Sequence, residues 1–193
     1  MNSPEELTIL AISGSLRANS LNTALLAAAQ KHAPTGVRVE LYEGLTDLPP
    51  FNDDLDTPQT VPASVTELRS LIGDADGLLI ATPEYNYSVP GVLKNALDWA
   101  SRPNPGAVLD GKDVAITGAS PGNFGTSRAQ MALRQIFLAT RSNVVVSPET
   151  LVFAAHQRFD EGGNLIDDGT VSLLRSTLEV LRAQILRNRG KRR

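Results

Sequence analysis

No cysteine occurs among the 193 residues. Disulfides, thiol catalysis and Cys-ligated metal sites are therefore excluded. No apolar run approaches the roughly 18 residues of a membrane-spanning helix, so no membrane partner is expected. The N-terminus, Met1-Asn2-Ser3-Pro4-Glu5-Glu6, is acidic and lacks the apolar core of a secretory signal. These absences predict a cytoplasmic protein, in which the sequon-like triplet Asn86-Tyr87-Ser88 carries no meaning. Basic excess is missing too: the net charge is −3, which gives nucleic-acid binding no electrostatic support. The one basic run, from Arg187 to Arg193, reads as a solvated, frayed tail. There are no internal repeats and no low-complexity segments. With 41% hydrophobic and 20% charged residues, the chain reads as one globular domain over residues 1–193.

What is present is an alternation of strand and helix patterns. Leu7 to Ile12 is nearly continuous in apolar residues, as a strand covered on both faces would be. A helix is predicted from about Leu21 to His32, with Ser20 or Asn19 as its N-cap, and Pro34-Thr35-Gly36 stops it. Val37 to Tyr42 is a second strand. Glu43 to Pro62 is a long proline-containing connection. Its acidic run, Asn52-Asp53-Asp54 and Asp56, lacks calcium-loop spacing and reads as solvated loop. Ser64 to Ile72 is a short helix, with Ser64 and Glu67 in capping-box register. Gly77 to Ala81 is a third strand, Val92 to Ala100 a helix, Val114 to Thr117 a fourth strand and Ser127 to Thr140 a helix. Asn143 to Ser147 is a fifth strand, which Thr150 to Phe153 either extends or follows. A polar loop from His156 to Gly169 leads to a closing helix, Val171 to Arg187. Five alternations predict an α/β three-layer fold with a parallel five-stranded sheet. The flavodoxin-like order 2-1-3-4-5 fits this length better than the larger six-stranded dinucleotide fold.

In that order the turns after strands one, three and four share one edge, where ligands bind in open parallel sheets. They are the three most distinctive loops in the chain. The first, Ser13 to Asn22, suits a phosphate. Unpaired N–H groups at the next helix start attract anions, Gly14 permits a tight turn, Ser15, Ser20 and Asn22 offer short donors, and Arg17 offers a charged fork. It is neither a P-loop nor G-x-G-x-x-G. The second, Pro83 to Ser88, brings Glu84, Tyr85, Asn86 and Tyr87 between Pro83 and Pro90, and its tyrosines suit a planar ring. The third, Ala119 to Gly125, offers N–H groups at Gly122-Asn123. No paired acid and base residues accompany these loops, which fits chemistry carried by a cofactor.

Gly14-Ser15-Leu16-Arg17 with Ser20 and Asn22, followed by Pro83-Glu84-Tyr85-Asn86, resembles the NADPH-dependent FMN reductase family of flavodoxin-like flavoproteins. Thr82 to Arg102 resembles its quinone and chromate reductase members most. The resemblance implies FMN as cofactor, with Ser15, Arg17, Ser20, Leu21 and Asn22 at its phosphate. Pro83, Glu84, Tyr85 and Asn86 would border the isoalloxazine, and Ser120 and Gly122 would close the other side. It implies NADPH or NADH as co-substrate and a small-molecule acceptor: a quinone, chromate, an azo compound or free flavin. It implies a ping-pong sequence, no catalytic side chain, no metal, and a homodimer or homotetramer. The helix after Pro90, with Trp99 and Arg102, is an interface candidate, and the Asn52 to Asp56 loop is a place for substrate preference.

Two other classes compete. A non-catalytic FMN electron carrier or flavin-binding module would share the fold and lack turnover. A serine hydrolase would use Ser120, since Gly118-Ala119-Ser120-Pro121-Gly122 matches G-x-S-x-G and Glu149 and His156 follow in order. That elbow needs a backbone N–H after the serine, and Pro121 has none.

Overall fold

The computed structural model describes residues 6–103 and 106–191. Asn104 and Pro105, the acidic N-terminal residues before Glu6 and the last two residues of the basic run lie outside them. In chain order the elements are β1 (Leu7–Ser13), α1 (Leu21–Lys31), β2 (Val37–Tyr42), α2 (Ala63–Asp74), β3 (Gly77–Ala81) and α3 (Gly91–Ala100). β4 (Asp113–Ala119), α4 (Ser127–Ala139), β5 (Asn143–Val144), β6 (Thr150–Val152) and α5 (Asp168–Lys191) follow.

The strands pair in parallel in the order β2-β1-β3-β4-β5, with β6 also on β4. This is the flavodoxin-like arrangement. Alternation along each strand feeds two cores. Ile9 and Ala11 of β1, with Leu79 and Ala115, pack under Leu25, Ala29, Leu178 and Ile185 of α1 and α5. Leu10 and Ile12, with Leu78, Ile80 and Ile116, face Leu68, Leu97, Trp99 and Phe137 of α2, α3 and α4. β3 and β4 are buried along their whole length; β3 reads as an unbroken apolar run for that reason, whereas β4 also buries the polar Asp113 and Thr117.

Several expectations change. The fifth strand is two short pieces. β5 pairs with Asp113 and Val114, and β6 with Thr117, Gly118 and Ala119. Between them Val146 is 79% exposed, and Pro148 has no N–H to give a ladder. Thr150 to Val152 therefore follows the fifth strand and does not extend it. α2 begins at Ala63 behind Pro62, and Ser64 donates its hydroxyl to the Asp47 carbonyl at 3.0 Å, so no capping box with Glu67 forms. α5 is longer than predicted at both ends. Its C-terminal turns are anchored: Asn188 donates to Asp113 at 2.7 Å and Arg189 pairs with Asp76. A frayed tail is therefore wrong for Asn188 and Arg189.

The long connection after β2 is also not a free loop. Asn95 and the Trp99 indole N–H both donate to the Pro49 carbonyl, at 2.9 and 2.8 Å, and the Phe51 amide donates to Asn95 at 2.7 Å. Asp56 is clamped by Arg69 at 2.7 Å, with side chains only 11% and 15% exposed. The acidic run thus lies strapped along α2 and α3. Trp99 is fully buried beneath it and offers no surface to a partner. Among the described residues, no helix is long and apolar enough to cross a membrane, and no three acidic or histidine side chains gather as a metal site.

Candidate functional site

The β1–α1 turn is built from its own hydroxyls. The Gly14 amide continues the β1–β3 ladder by donating to the Ala81 carbonyl at 2.8 Å. Ser13 and Thr23 share a hydroxyl hydrogen bond of 2.8 Å. Ser20, rather than Asn19, is the N-cap, accepting from the Thr23 amide at 3.2 Å. The first turn of α1 carries no acidic side chain, so its outward N–H groups meet an anion without repulsion. The Arg17 side chain is exposed and has no partner among the described residues. Gly14 is required by closeness rather than by its φ: a Cβ there would lie 3.0 Å from Leu93 and 3.2 Å from Pro83.

Asn22 behaves differently from the phosphate donor expected of it. It is 3% exposed. Its amide donates to the Ala119 carbonyl at 3.0 Å and accepts from the Ala119 N–H at 2.9 Å. Both side-chain ends are thus committed to the end of β4, and only the backbone N–H of Asn22 remains for a ligand. The side chain clamps the first loop to the third.

The β3–α3 loop carries a tight reversal. Tyr85 and Ser88 exchange backbone hydrogen bonds of 3.1 and 3.0 Å, with Asn86 at φ 50° and Tyr87 at φ 68°. This is a two-residue primed turn, a geometry that favours Asn-Gly. Its central N–H groups, of Asn86 and Tyr87, have no acceptor among the described residues. Glu84 is not free for chemistry. Its carboxylate accepts from the Arg128 and Ala129 amides at 3.0 and 3.3 Å and from the Arg128 guanidinium. It caps α4, whose own N-cap residue, Thr126, makes no side-chain capping bond; the Thr126 hydroxyl instead accepts from the Gln130 side-chain amide at 3.2 Å. Arg128 in turn lies over the exposed rings of Tyr87 and Phe124, 3.8 and 4.6 Å from their centroids.

The β4–α4 loop is held from beneath. Ser120 donates its amide to Val152 at 2.9 Å, and its hydroxyl accepts from the Gly122 amide at 3.1 Å. Gly118 leaves no room for a side chain, since a Cβ would lie 2.0 Å from the Thr126 hydroxyl.

These three loops enclose a cleft of about 270 Å³ lined by Ser15, Arg17, Ser20, Leu21, Asn22, Pro83, Glu84, Tyr85, Ala119, Ser120 and Pro121. Asn86 and Gly122 stand beside it and do not form its wall. Ala119 and Pro121 line it without having been singled out. Arg128 was missed as well, though its sequence held a signal. A cation in the first turn of a helix opposes the dipole, so a carboxylate from elsewhere had to meet it.

The hydrolase arrangement does not form. The Ser120 hydroxyl is used within its own loop, Glu149 lies 3.8 Å from Arg134, and the exposed His156 contacts Gln157. The cradle suits a phosphate at one end and a flat, acceptor-rich ring at the other: an acid-free helix start beside a lone guanidinium, then unpaired N–H groups in a strained turn.

Comparisons with known proteins agree. The family model of NADPH-dependent FMN reductases matches residues 7–157. An NAD(P)H-dependent FMN reductase of Pseudomonas aeruginosa is 44% identical, over 96% of this chain and 99% of its own. An NADPH:quinone oxidoreductase of Arabidopsis thaliana is 42% identical, over 96% and 95%. Among solved structures, the NAD(P)H:(acceptor) oxidoreductase FerB of Paracoccus denitrificans superposes with a TM-score of 0.85 at 34% identity, over 94% of this chain and 98% of its own. Fold, loops and relatives converge, and the chain belongs to the NADPH-dependent FMN reductase family.

Proposed function

We propose that this chain holds FMN across the three loops and passes two electrons from a nicotinamide dinucleotide to a quinone. The observation that carries the reading is the single cleft in which Ser15, Arg17 and Ser20 meet Pro83, Glu84, Tyr85 and Ser120. The phosphate would rest on the Arg17 guanidinium, the Ser15 and Ser20 hydroxyls, and the N–H groups of Leu21 and Asn22. Pro83 to Asn86 would border the ring, whose acceptors suit the free N–H groups of the primed turn. Ser120 and Gly122 would bound the opposite side. Bound there, FMN supplies the chemistry, accepting a hydride and returning two electrons.

The protein's own part is placement. Glu84, the one carboxylate on the wall, is engaged by Arg128 and α4, so no side-chain acid or base is invoked. One open face serves both substrates, so they bind in turn, which is a ping-pong sequence. We further infer self-association as a homodimer or homotetramer. Support comes from a mostly apolar groove between α3 and α4, lined by Val89, Gly91, Ala132, Ile136 and Ala139 with Lys94 and Gln135 among them, and adjoining the primed turn at Ser88. Light scattering of the holoprotein tests this; a monomer at micromolar concentration counts against it.

The test of function is turnover. Purified protein should carry FMN and oxidise NADH or NADPH over many turnovers when a quinone is supplied, with parallel lines in double-reciprocal plots. Bound flavin without turnover would instead favour an electron carrier.

A further inference from the structure

A second cleft, of about 360 Å³, lies on the other side of the phosphate loop. It opens between Ser15, Leu16 and Arg17 on one side and Tyr42, Glu43 and Thr46 on the other. Ser15 and Arg17 line both clefts, so the loop is a shared ridge. Leu26, Leu41 and Leu45 give the second cleft an apolar floor, and Ser13, Thr23 and Thr46 place hydroxyls around it. Nothing in the proposed FMN site uses it.

Glu43 is the informative residue. It follows directly on β2, is exposed, and makes no capping or ion-pair contact among the described residues. β2 neighbours β1, whose turn is the phosphate loop. In dinucleotide-binding α/β sheets, an acidic residue about twenty positions beyond the phosphate turn hydrogen-bonds the adenosine ribose, and a cation replaces it where the ribose is phosphorylated. Here a free carboxylate stands at the end of β2, beside the phosphate loop.

Resting on the function proposed above, we propose that this cleft is the adenosine subsite of the nicotinamide dinucleotide, with Glu43 accepting from a ribose hydroxyl. The geometry allows it. The gap between the ends of β2 and β1 lies two strand spacings, roughly 10 Å, from the gap between the ends of β3 and β4. Two riboses and a pyrophosphate bridge that span, and their path crosses the exposed Arg17 guanidinium on the ridge. The adenine fits the apolar floor. The Tyr42 phenol behind it is pushed up to about 12, by burial first and then by Glu67 and Asp47, so it stays uncharged among carboxylates. Among the described residues, Glu43 is the one carboxylate on the wall of this cleft, and Arg17, its one cation, is shared with the flavin phosphate across the ridge. In the FMN-loaded protein Glu43 therefore repels a ribose 2′-phosphate, and the subsite selects NADH over NADPH.

The probe is ADP-ribose, which carries adenosine and pyrophosphate but no reactive ring, titrated calorimetrically into the FMN-loaded protein. The comparator is 2′-phospho-ADP-ribose. The wild type should bind ADP-ribose more tightly, by about tenfold, the scale of one hydrogen bond to a charged group. Glu43→Ala should lose that margin and raise KM for NADH with kcat and bound FMN unchanged. Glu43→Gln keeps an acceptor and should retain ADP-ribose affinity while tolerating the phosphate better. Equal affinities in wild type and Glu43→Ala would overturn the subsite, as would a purified protein whose flavin is FAD, with an adenosine of its own in this cleft. A wild type that oxidises neither nicotinamide overturns the proposed function instead, so the two failures are distinct.

Discussion

Replacing Asn22 with alanine separates two roles for one residue. If Asn22 mainly gripped a phosphate, its loss would weaken flavin binding and leave the flavin-free protein intact. The structure predicts the reverse order of effects. Asn22 is 3% exposed and forms both an accepted and a donated bond with the backbone of Ala119. Its removal strands a buried N–H and a buried C=O, each costing about 1–3 kcal/mol. We take about 3 kcal/mol for the pair. At roughly 2–4 °C per kcal/mol for a domain of this size, the flavin-free protein should melt roughly 6–12 °C lower. The assay is calorimetric or circular-dichroism unfolding of protein stripped of flavin, wild type against Asn22→Ala. An unchanged melting temperature in the flavin-free state would refute the clamp and return Asn22 to the phosphate.

The remaining predictions follow from the same contacts. Arg17→Ala should weaken FMN binding by about 1.5–3 kcal/mol, the scale of one charge-assisted bond, and leave flavin-free stability unchanged; fluorescence titration with FMN measures both sides of that contrast. Glu84→Ala should destabilise by about 1–2 kcal/mol in urea unfolding through loss of the α4 cap, and Glu84→Gln, which keeps one acceptor oxygen, by less. The Asp167 carboxyl, held below its ordinary range by the Thr170 hydroxyl first, then the Thr170 amide and Arg158, caps α5. A lowered folded value stabilises above the ordinary carboxylate range and is lost as pH falls through that folded value. The stability margin of wild type over Asp167→Asn should therefore be full at pH 7 and shrink below about pH 4.

The parts of the fold legible in the sequence are those governed by local pattern. β1 and β3 are buried on both faces, so they read as near-continuous apolar runs, and Ser20 announces the start of α1 by its own side chain. Loop convergence was legible because strand order fixes which turns share an edge. What escaped were partnerships between polar groups far apart in the chain. Asn22 and Glu84 are short polar residues in ligand-like loops, and sequence does not say whether such a side chain faces a ligand or a neighbouring loop. Asn22 is held by Ala119, and Glu84 by Arg128. The same holds for the end of α5, where charged residues look frayed until Asp113 and Asp76 are seen to meet Asn188 and Arg189. The Ser64 cap failed because Pro62 starts the helix one residue earlier. The fifth strand split because Ser147-Pro148 interrupts it after Val145, which still donates to the Val114 carbonyl at 2.8 Å. Trp99 on an amphipathic helix looked available to a partner, whereas the connection from Pro49 to Asp56 covers it.

The central claim is that the three-loop cleft binds FMN and turns it over between two substrates. An anaerobic titration of the purified protein followed by absorbance tests it most directly. The account predicts a flavin spectrum that is bleached by stoichiometric NADH and restored by stoichiometric quinone, and that is missing from Arg17→Ala protein at limiting FMN. A colourless protein that gains no flavin spectrum on titration, or a bound flavin that neither nicotinamide bleaches, would contradict it.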